Sequence, residues 1–266
     1  MSISYKIMGV INVTPDSFSD GGKFLSHDNA VNQALDLIQQ GADIIDIGGE
    51  STRPGADKVS IKEEINRTVP VISAIRKLHP SVTISIDTSK SQVMQAAIRA
   101  GANFINDVNA LQSDGCIEIV AESQLPVCLM HKKGQPKSMQ NNPEYGDVLT
   151  EVKDFFKARL DNCLSAGIKP ENIVLDPGIG FGKTLAHNLA LLKNIKQLKS
   201  LGYPILIGVS RKSMIGEILN EDVNNRLYGS LAIAQFAYEQ GAEYLRVHDV
   251  KATSDVLKVT KALIES

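Results

Sequence analysis

Eight short apolar runs in this 266-residue chain end in side chains capable of chemistry. In order they deliver Asn12; Asp46, then Glu50, Thr52 and Arg53; Asp87; Asn106 and Asp107; Met130 and His131; Asp176; Ser210, Arg211 and Lys212; and Arg246, His248 and Asp249. Any one of these is most simply a helix cap or a solvated turn, and for Asp46 and Asp107 that plain reading and a role in a site stay equally open. Polar residues after all eight runs argue for a convergent pocket. Thr52, Arg53, Arg211, Lys212, Arg246 and His248 supply cationic or hydroxyl donors suited to phosphate or another anion. Asp87, Asn106 and Asp176 can accept several N–H donors, as a nitrogen-rich, amide-like heterocycle would offer. Asn12, Asp16 and Asp20 present hard oxygens to Mg²⁺, an ion that takes few protein ligands and completes its shell with substrate phosphate and water. The combination points to a pocket that reads a nitrogen heterocycle carrying a phosphorylated arm.

Val174 to Thr184, V-L-D-P-G-I-G-F-G-K-T, offers a second reading. Gly182-Lys183-Thr184 looks like the tail of a phosphate loop, but that motif needs a glycine where Pro177 stands. The alternative is a strand that delivers Asp176 into a pocket, followed by a glycine-rich loop that lets backbone and ligand approach closely. On that reading Lys183 is expected to be a surface lysine at a helix start. Neither H-E-x-x-H nor G-x-S-x-G occurs, and His131 has no neighbouring His, Cys or acid spaced as a metal-ligand set.

The elements that must position these residues repeat on one plan. Gly41-Ala42, Gly101-Ala102 and Gly241-Ala242 each follow a helix-like segment and precede a short apolar run ending in polar residues. Glycine just past a helix takes the left-handed conformation cheaply, so each is a helix stop feeding a buried strand. Strands are expected at Lys6–Val13, Ile44–Ile47, Thr83–Ile86, Phe104–Asp107, Pro126–Met130, Ile173–Leu175, Ile205–Val209 and Tyr244–Val247. Several are continuous apolar runs, as strands buried on both faces are. Between them run helical stripes such as Val31, Ala34, Leu35 and Ile38, or Val93, Met94, Ala97 and Ile98. Ser254 is expected to cap the last helix. Eight such units without a linker predict an α/β chain folded as a single TIM (β/α)₈ barrel over residues 1–266, with a doubly wound open sheet as the alternative. Long segments after the first, second and fifth strands (14–28, 48–60 and 131–146) fall on the C-terminal face of the strands, where barrel active sites are built.

Composition narrows the classes. Lys and Arg total 28 against 30 Asp and Glu, with no long run of one sign, so nothing indicates a nucleic-acid or membrane surface. Cys116, Cys128 and Cys163 form neither a disulfide framework nor a CxxC pattern, which fits a reducing cytoplasm. The first residues lack a signal-peptide apolar region, and no apolar run approaches the ~18 residues of a membrane span. The expectation is a cytoplasmic protein.

Ordered along the chain, the motifs resemble those of the dihydropteroate synthase family of pterin-binding barrels. They are Met8–Gly22 (MGVINVTPDSFSDGG), Asp46–Gly55 (DIGGESTRPG), Ser85–Lys90 (SIDTSK), Ile105–Val108 (INDV), Leu129–His131, Val174–Thr184, Gly208–Ser213 (GVSRKS) and Arg246–Val250 (RVHDV). The resemblance implies a transferase that joins 4-aminobenzoate to 6-hydroxymethyl-7,8-dihydropterin diphosphate, with Mg²⁺, to give 7,8-dihydropteroate and pyrophosphate in folate biosynthesis. By motif it implies that Asp87, Asn106, Asp176 and Lys212 hold the pterin, and that Asn12 is associated with magnesium. Thr52, Arg53, Arg246 and His248 match the pyrophosphate site. Phe181 and Ser213 resemble residues around the aminobenzoate, joined by Phe18, Arg53 and Pro54. It further implies catalytic roles for Asp176, Lys212, Arg246 and His248, a homodimer, and sensitivity to sulfonamides.

Two rivals are weighed against this. A methyltetrahydrofolate-dependent methyltransferase acting with a corrinoid protein would share Asp87, Asn106 and Asp176, but would not need the Asn12–Gly22 segment or the cations after the last two strands. A catalytically inactive paralogue serving as a partner subunit should have lost one of Asn12, Asp87, Asp176, Lys212 or Arg246, and all are present. One departure from the family pattern is the basic Lys132-Lys133 pair after His131, read as a solvated loop.

Overall fold

The computed structural model describes residues 4–13, 23–51, 58–134, 139–140 and 143–265. Eight strands alternate with helices: β1 (Lys6–Asn12), α1 (Lys23–Gln39), β2 (Ile44–Gly48), α2 (Ile61–Leu78), β3 (Thr83–Asp87), α3 (Ser91–Ala100), β4 (Phe104–Asp107), α4 (Cys116–Ser123) and β5 (Val127–Met130). The chain continues through α5 (Val148–Ser165), β6 (Ile173–Asp176), α6 (Leu185–Lys193), α7 (Ile195–Lys199), β7 (Leu206–Gly208), α8 (Ser213–Leu219), α9 (Leu227–Glu239), β8 (Tyr244–Val247) and α10 (Val250–Glu265). Every strand pairing is parallel, in the order β6-β5-β4-β3-β2-β1-β8-β7. A parallel bridge between Leu175 and Ile205 joins the two ends, so the sheet closes on itself as the TIM barrel that the repeat predicts. Each expected strand is present to within two residues at either end. Gly41, Gly101 and Gly241 adopt φ of 101°, 112° and 99°, which stops the preceding helix in each case.

The core has two parts. Side chains on the outer faces of the strands pack against the helices, as do Ile7, Ile45, Ile84, Ile105 and Leu175. Inside the barrel, Met8, Ile44, Phe104, Cys128, Val174 and Leu206 form a separate apolar plug, with Tyr244 against it. Successive residues on a strand face opposite ways, so the residue two positions beyond each plug member faces the same interior one step higher. Those residues are Val10, Asp46, Asn106, Met130, Asp176 and Gly208, with Arg246 above Tyr244. The plug therefore floors the barrel, and the polar groups sit on that floor.

One helix start differs from expectation. The first α10 turn is anchored by Asp249, whose carbonyl accepts Thr253 N–H at 3.0 Å, and Ser254 lies buried inside the helix rather than at its cap. Only His248 and Asp249 separate β8 from α10, so the helix begins before Ser254 is reached.

Candidate active site at the barrel mouth

The interior polar layer is organised around Arg246. Its Nε donates to Asp46 Oδ2 at 2.6 Å and its Nη2 to Asp87 Oδ2 at 2.7 Å. Asn106 Nδ2 donates to the same Asp46 oxygen at 3.1 Å. The strand register explains the convergence: Asp87 pairs with Asn106 across β3 and β4, and Gly208 beside Arg246 leaves the guanidinium room. Burial pushes Asp87 up to about 7, against the pull of Arg246. Burial also works against the Arg246 cation, but Asp46 and Asp87 more than offset it and hold its pKa above the usual range. Two buried carboxylate oxygens, Asp46 Oδ1 and Asp87 Oδ1, have no hydrogen-bond partner among the described residues. Such acceptors are costly to leave unmade.

Asp176 and Lys212 face each other on the next side of the mouth. Asp176 Oδ1 accepts Gly178 N–H at 2.7 Å, and burial raises its pKa while Lys212 opposes the rise. Lys212 stands at the N-cap of α8, where its Nζ donates to Ile179 O and lies 4.7 Å from the centre of the Phe181 ring. Burial brings Lys212 down to about 8, with Asp176 opposing. Ser213 opens the same helix and is exposed.

The β7 and β8 ends are tied together. Arg211 Nε donates to Asp249 Oδ2 at 3.0 Å, and Ser210 Oγ accepts His248 N–H at 3.2 Å and lies 3.1 Å from His248 Nδ1. Arg211 has φ of 59°, a left-handed turn that a side chain rarely adopts, held by the bond from its N–H to Ser230 Oγ at 2.9 Å. This turn carries Lys212 and Ser213 into the mouth. Glu50, after β2, accepts Val59 N–H at 2.9 Å and pairs with Lys90, whose Nζ donates to Val59 O at 2.8 Å.

The structure thus brings Asp87, Asn106, Asp176, Lys212, Arg246, His248, Phe181 and Ser213 to one end of the barrel. Asn12 ends β1 at the same end, half-buried. Thr52 and Arg53 lie outside the described residues, as do Asp16, Phe18, Asp20 and Pro54. Asp46 and Asp107 part company. Asp46 belongs to the polar layer, whereas Asp107 accepts Ser89 Oγ at 2.6 Å and the N–H groups of Asn109 and Leu111 at 2.7 and 2.8 Å, fastening its own turn. The surface position expected of Lys183 is overturned. It is 3% exposed, enclosed by the backbone of the 178–181 turn and by His131. Pattern alone does not show that the turn folds back over β5 and takes Lys183 in with it.

Similarity to known proteins fits this geometry. The pattern of the family described as pterin binding enzyme matches residues 8–248. The dihydropteroate synthase of Haemophilus influenzae is 51% identical over 257 residues, covering 97% of this chain and 93% of that protein. The chain belongs to the dihydropteroate synthase family of pterin binding enzymes. Two solved members of the family extend the likeness to the fold. A Yersinia pestis dihydropteroate synthase, in complex with a sulfonamide drug, superposes with a TM-score of 0.94 at 47% identity, covering 99% of this chain and 95% of that one. The Xanthomonas albilineans dihydropteroate synthase in complex with 7,8-dihydropteroate superposes with a TM-score of 0.91 at 42% identity, covering 100% and 96%.

Proposed function

We propose that this barrel joins 6-hydroxymethyl-7,8-dihydropterin diphosphate to 4-aminobenzoate, forming 7,8-dihydropteroate and releasing pyrophosphate. The observation that carries the reading is the buried acceptor set of Asp87, Asn106 and Asp176 beside the cations Lys212 and Arg246 on the barrel floor. The partnerless oxygen of Asp87 suits a ring N–H donor, and Asp176 opposite Lys212 suits an amide-like edge that both donates and accepts. The family membership and the product-bound Xanthomonas relative support the same substrates.

The chain's groups divide the work. Asp87, Asn106, Asp176 and Lys212 hold the heterocycle flat on the apolar floor. Arg246 and His248 face the diphosphate and stabilise the charge that grows on it as the C–O bond breaks, a role the family pattern also gives Thr52 and Arg53. The pterin methylene gains cationic character, and the Asp176 carboxylate favours it. The aromatic amine then attacks against a wall formed by Phe181, with Ser213 at the rim. The amine is itself the nucleophile, so the chain needs no covalent intermediate of its own.

A magnesium ion fits the donors at the mouth. Asn12, at the end of β1, offers it one hard oxygen there. Among the described residues no group of three or more His, Cys, Asp or Glu is placed to hold a metal, so diphosphate oxygens and water would complete the shell. When bound, Mg²⁺ would supply charge neutralisation for the leaving diphosphate.

Two further parts of the proposal concern the molecule's setting. Ile218 and Leu219 in α8, Tyr228 in α9 and Val223 in the connection between them leave apolar surface exposed, which supports a homodimer through that side. The free, buried state of Cys116, Cys128 and Cys163 supports residence in a reducing cytoplasm, and no described helix is long and apolar enough to cross a membrane.

The test is pyrophosphate release on mixing the pterin diphosphate, 4-aminobenzoate and Mg²⁺ with the protein. No release in the complete mixture would remove the assignment.

A further inference from the structure

Lys183 has no part in the reaction as described, yet its burial is nearly complete. Its Nζ donates to Gly178 O at 2.9 Å and to Phe181 O at 3.1 Å, and lies 3.0 Å from His131 Nδ1. Nζ also lies 3.5 Å from His131 O, so carbonyls and the imidazole enclose an amine whose pKa burial brings down to about 7. Burial and the neighbouring Lys183 push His131 down to about 3, so its imidazole is neutral. The His131 ring is held edge-on against Phe155, with centroids 4.9 Å apart. Its backbone N–H donates to Asp176 O at 2.9 Å, which fastens the ends of β5 and β6 to each other.

Between Asp176 and Lys183 the backbone carbonyls are gripped one after another. Gly178 O and Phe181 O go to Lys183, Ile179 O to Lys212, Gly180 O to Gln140 and Gly182 O to the Tyr145 hydroxyl. Gly180 N–H donates to Asn188 Oδ1 at 2.8 Å. The two carbonyls held by Lys183 bracket the one held by Lys212, so the two lysines grip this turn at alternating carbonyls. Lys212 is also the ammonium over the Phe181 ring. A side chain that served only to fill space here would be apolar, since an enclosed ammonium is costly unless every N–H is partnered.

We propose that Lys183, backed by His131, is a positioning residue that sets the 178–181 turn so that Phe181 forms the aryl-amine wall of the site. Most of the pterin side is placed elsewhere: Asp87, Asn106, Asp176 and Arg246 by β3, β4, β6 and β8, and Lys212 by the start of α8. The inference rests on the proposed function, in which Phe181 lines the aminobenzoate site. It predicts a split between the two substrates that a merely structural lysine would not produce.

The experiment uses the full chain, with pyrophosphate release followed while 4-aminobenzoate is varied, and calorimetry for the pterin diphosphate. Lys183→Met keeps the stem and removes the three donors. Its KM for aminobenzoate should rise about 10-fold or more while pterin affinity stays within about 3-fold, the scale of one lost charge-assisted bond acting on one substrate only. An aminobenzoate KM unchanged from wild type overturns the inference, as does an equal loss for both substrates. If Lys183→Met does not fold, His131→Phe and His131→Gln carry the test. The phenyl ring removes one acceptor and should give a smaller split of about 3-fold, and the glutamine, which restores an acceptor, should reverse it. A His131→Phe protein with both constants at wild-type values overturns the inference. Failure of the wild-type protein to release pyrophosphate removes the proposed function and this inference with it. Release by wild type with unchanged variants removes the positioning role alone.

Discussion

Arg246 Nη2 donates to Asp87 Oδ2 at 2.7 Å, reaching from the last strand of the barrel to the third. The same guanidinium serves Asp46 through Nε, so a single cation neutralises two carboxylates on an apolar floor. Removing it leaves both acids buried without a counter-charge. Arg246→Met should therefore cost about 3–5 kcal/mol of stability at pH 8, on the scale of breaking a buried ion pair from one side. The loss should shrink at pH 6. Asp87 already sits at about 7, and without Arg246 its neutral form is favoured further, so the folded variant takes up protons as pH falls and the penalty relaxes. Urea denaturation at both pH values measures this; equal losses would mean the carboxylates are not ionised against Arg246.

Asp176 has two duties that one substitution can separate. Its Oδ1 accepts Gly178 N–H, and an asparagine oxygen can do the same. Its charge faces Lys212, and an asparagine cannot replace that. Asp176→Asn should keep the turn and its melting temperature but weaken pterin binding by about 2–4 kcal/mol. Unchanged pterin affinity by calorimetry would reduce Asp176 to a turn residue.

Gly178 marks where the β6 loop touches the chain after β5. It has φ of +67°, and a Cβ there would fall 1.8 Å from His131 O. Gly178→Ala must move one backbone or the other, and should cost more than about 3 kcal/mol through strain and overlap. Gly167 is a fair control, since it has φ of +92° with nothing within 4 Å of its added Cβ. Gly167→Ala should cost only the backbone term, about 1 kcal/mol. Thermal melts of the two variants that coincide would remove the close approach as a cause.

The barrel was legible in the sequence because most of its strands are buried on both faces and three of them, β2, β4 and β8, follow the same helix stop at Gly41, Gly101 and Gly241. The polar floor was legible for a related reason. Asp46, Asn106, Asp176 and Arg246 each lie two residues beyond a large apolar side chain, which puts both on one face of the strand. What pattern could not supply was how loops fold over one another. Asp46 and Asp107 both lie near the end of a short apolar strand. Asp46 shares the inward face of Ile44, whereas Asp107 shares the outward face of Ile105, and which face of each strand is inward shows only in the closed barrel. Lys183 was out of reach for the same cause. Its burial depends on the 178–182 turn lying on residues 131–133, a contact between segments about 50 positions apart. The alternating glycines 178, 180 and 182 were the available signal, since they leave room for such a contact.

His131 makes that buried contact sensitive to acid. Folded, it stays neutral down to about 3, while the unfolded chain's imidazole takes up a proton below its ordinary 6.5. Between those limits the unfolded state binds more protons than the folded one, so stability falls as pH falls through the window. The slope from this one group is at most about 1.4 kcal/mol per pH unit. Other groups titrate in the same range, so the measurement is a comparison with His131→Gln, which cannot protonate there. Between pH 7 and 4.5 the wild type should lose about 2 kcal/mol more than the variant in urea denaturation. Parallel loss in the two proteins would mean that His131 can protonate without unfolding. Lys183 would then lose its contact with His131 Nδ1 and keep only its two bonds to the 178–181 turn.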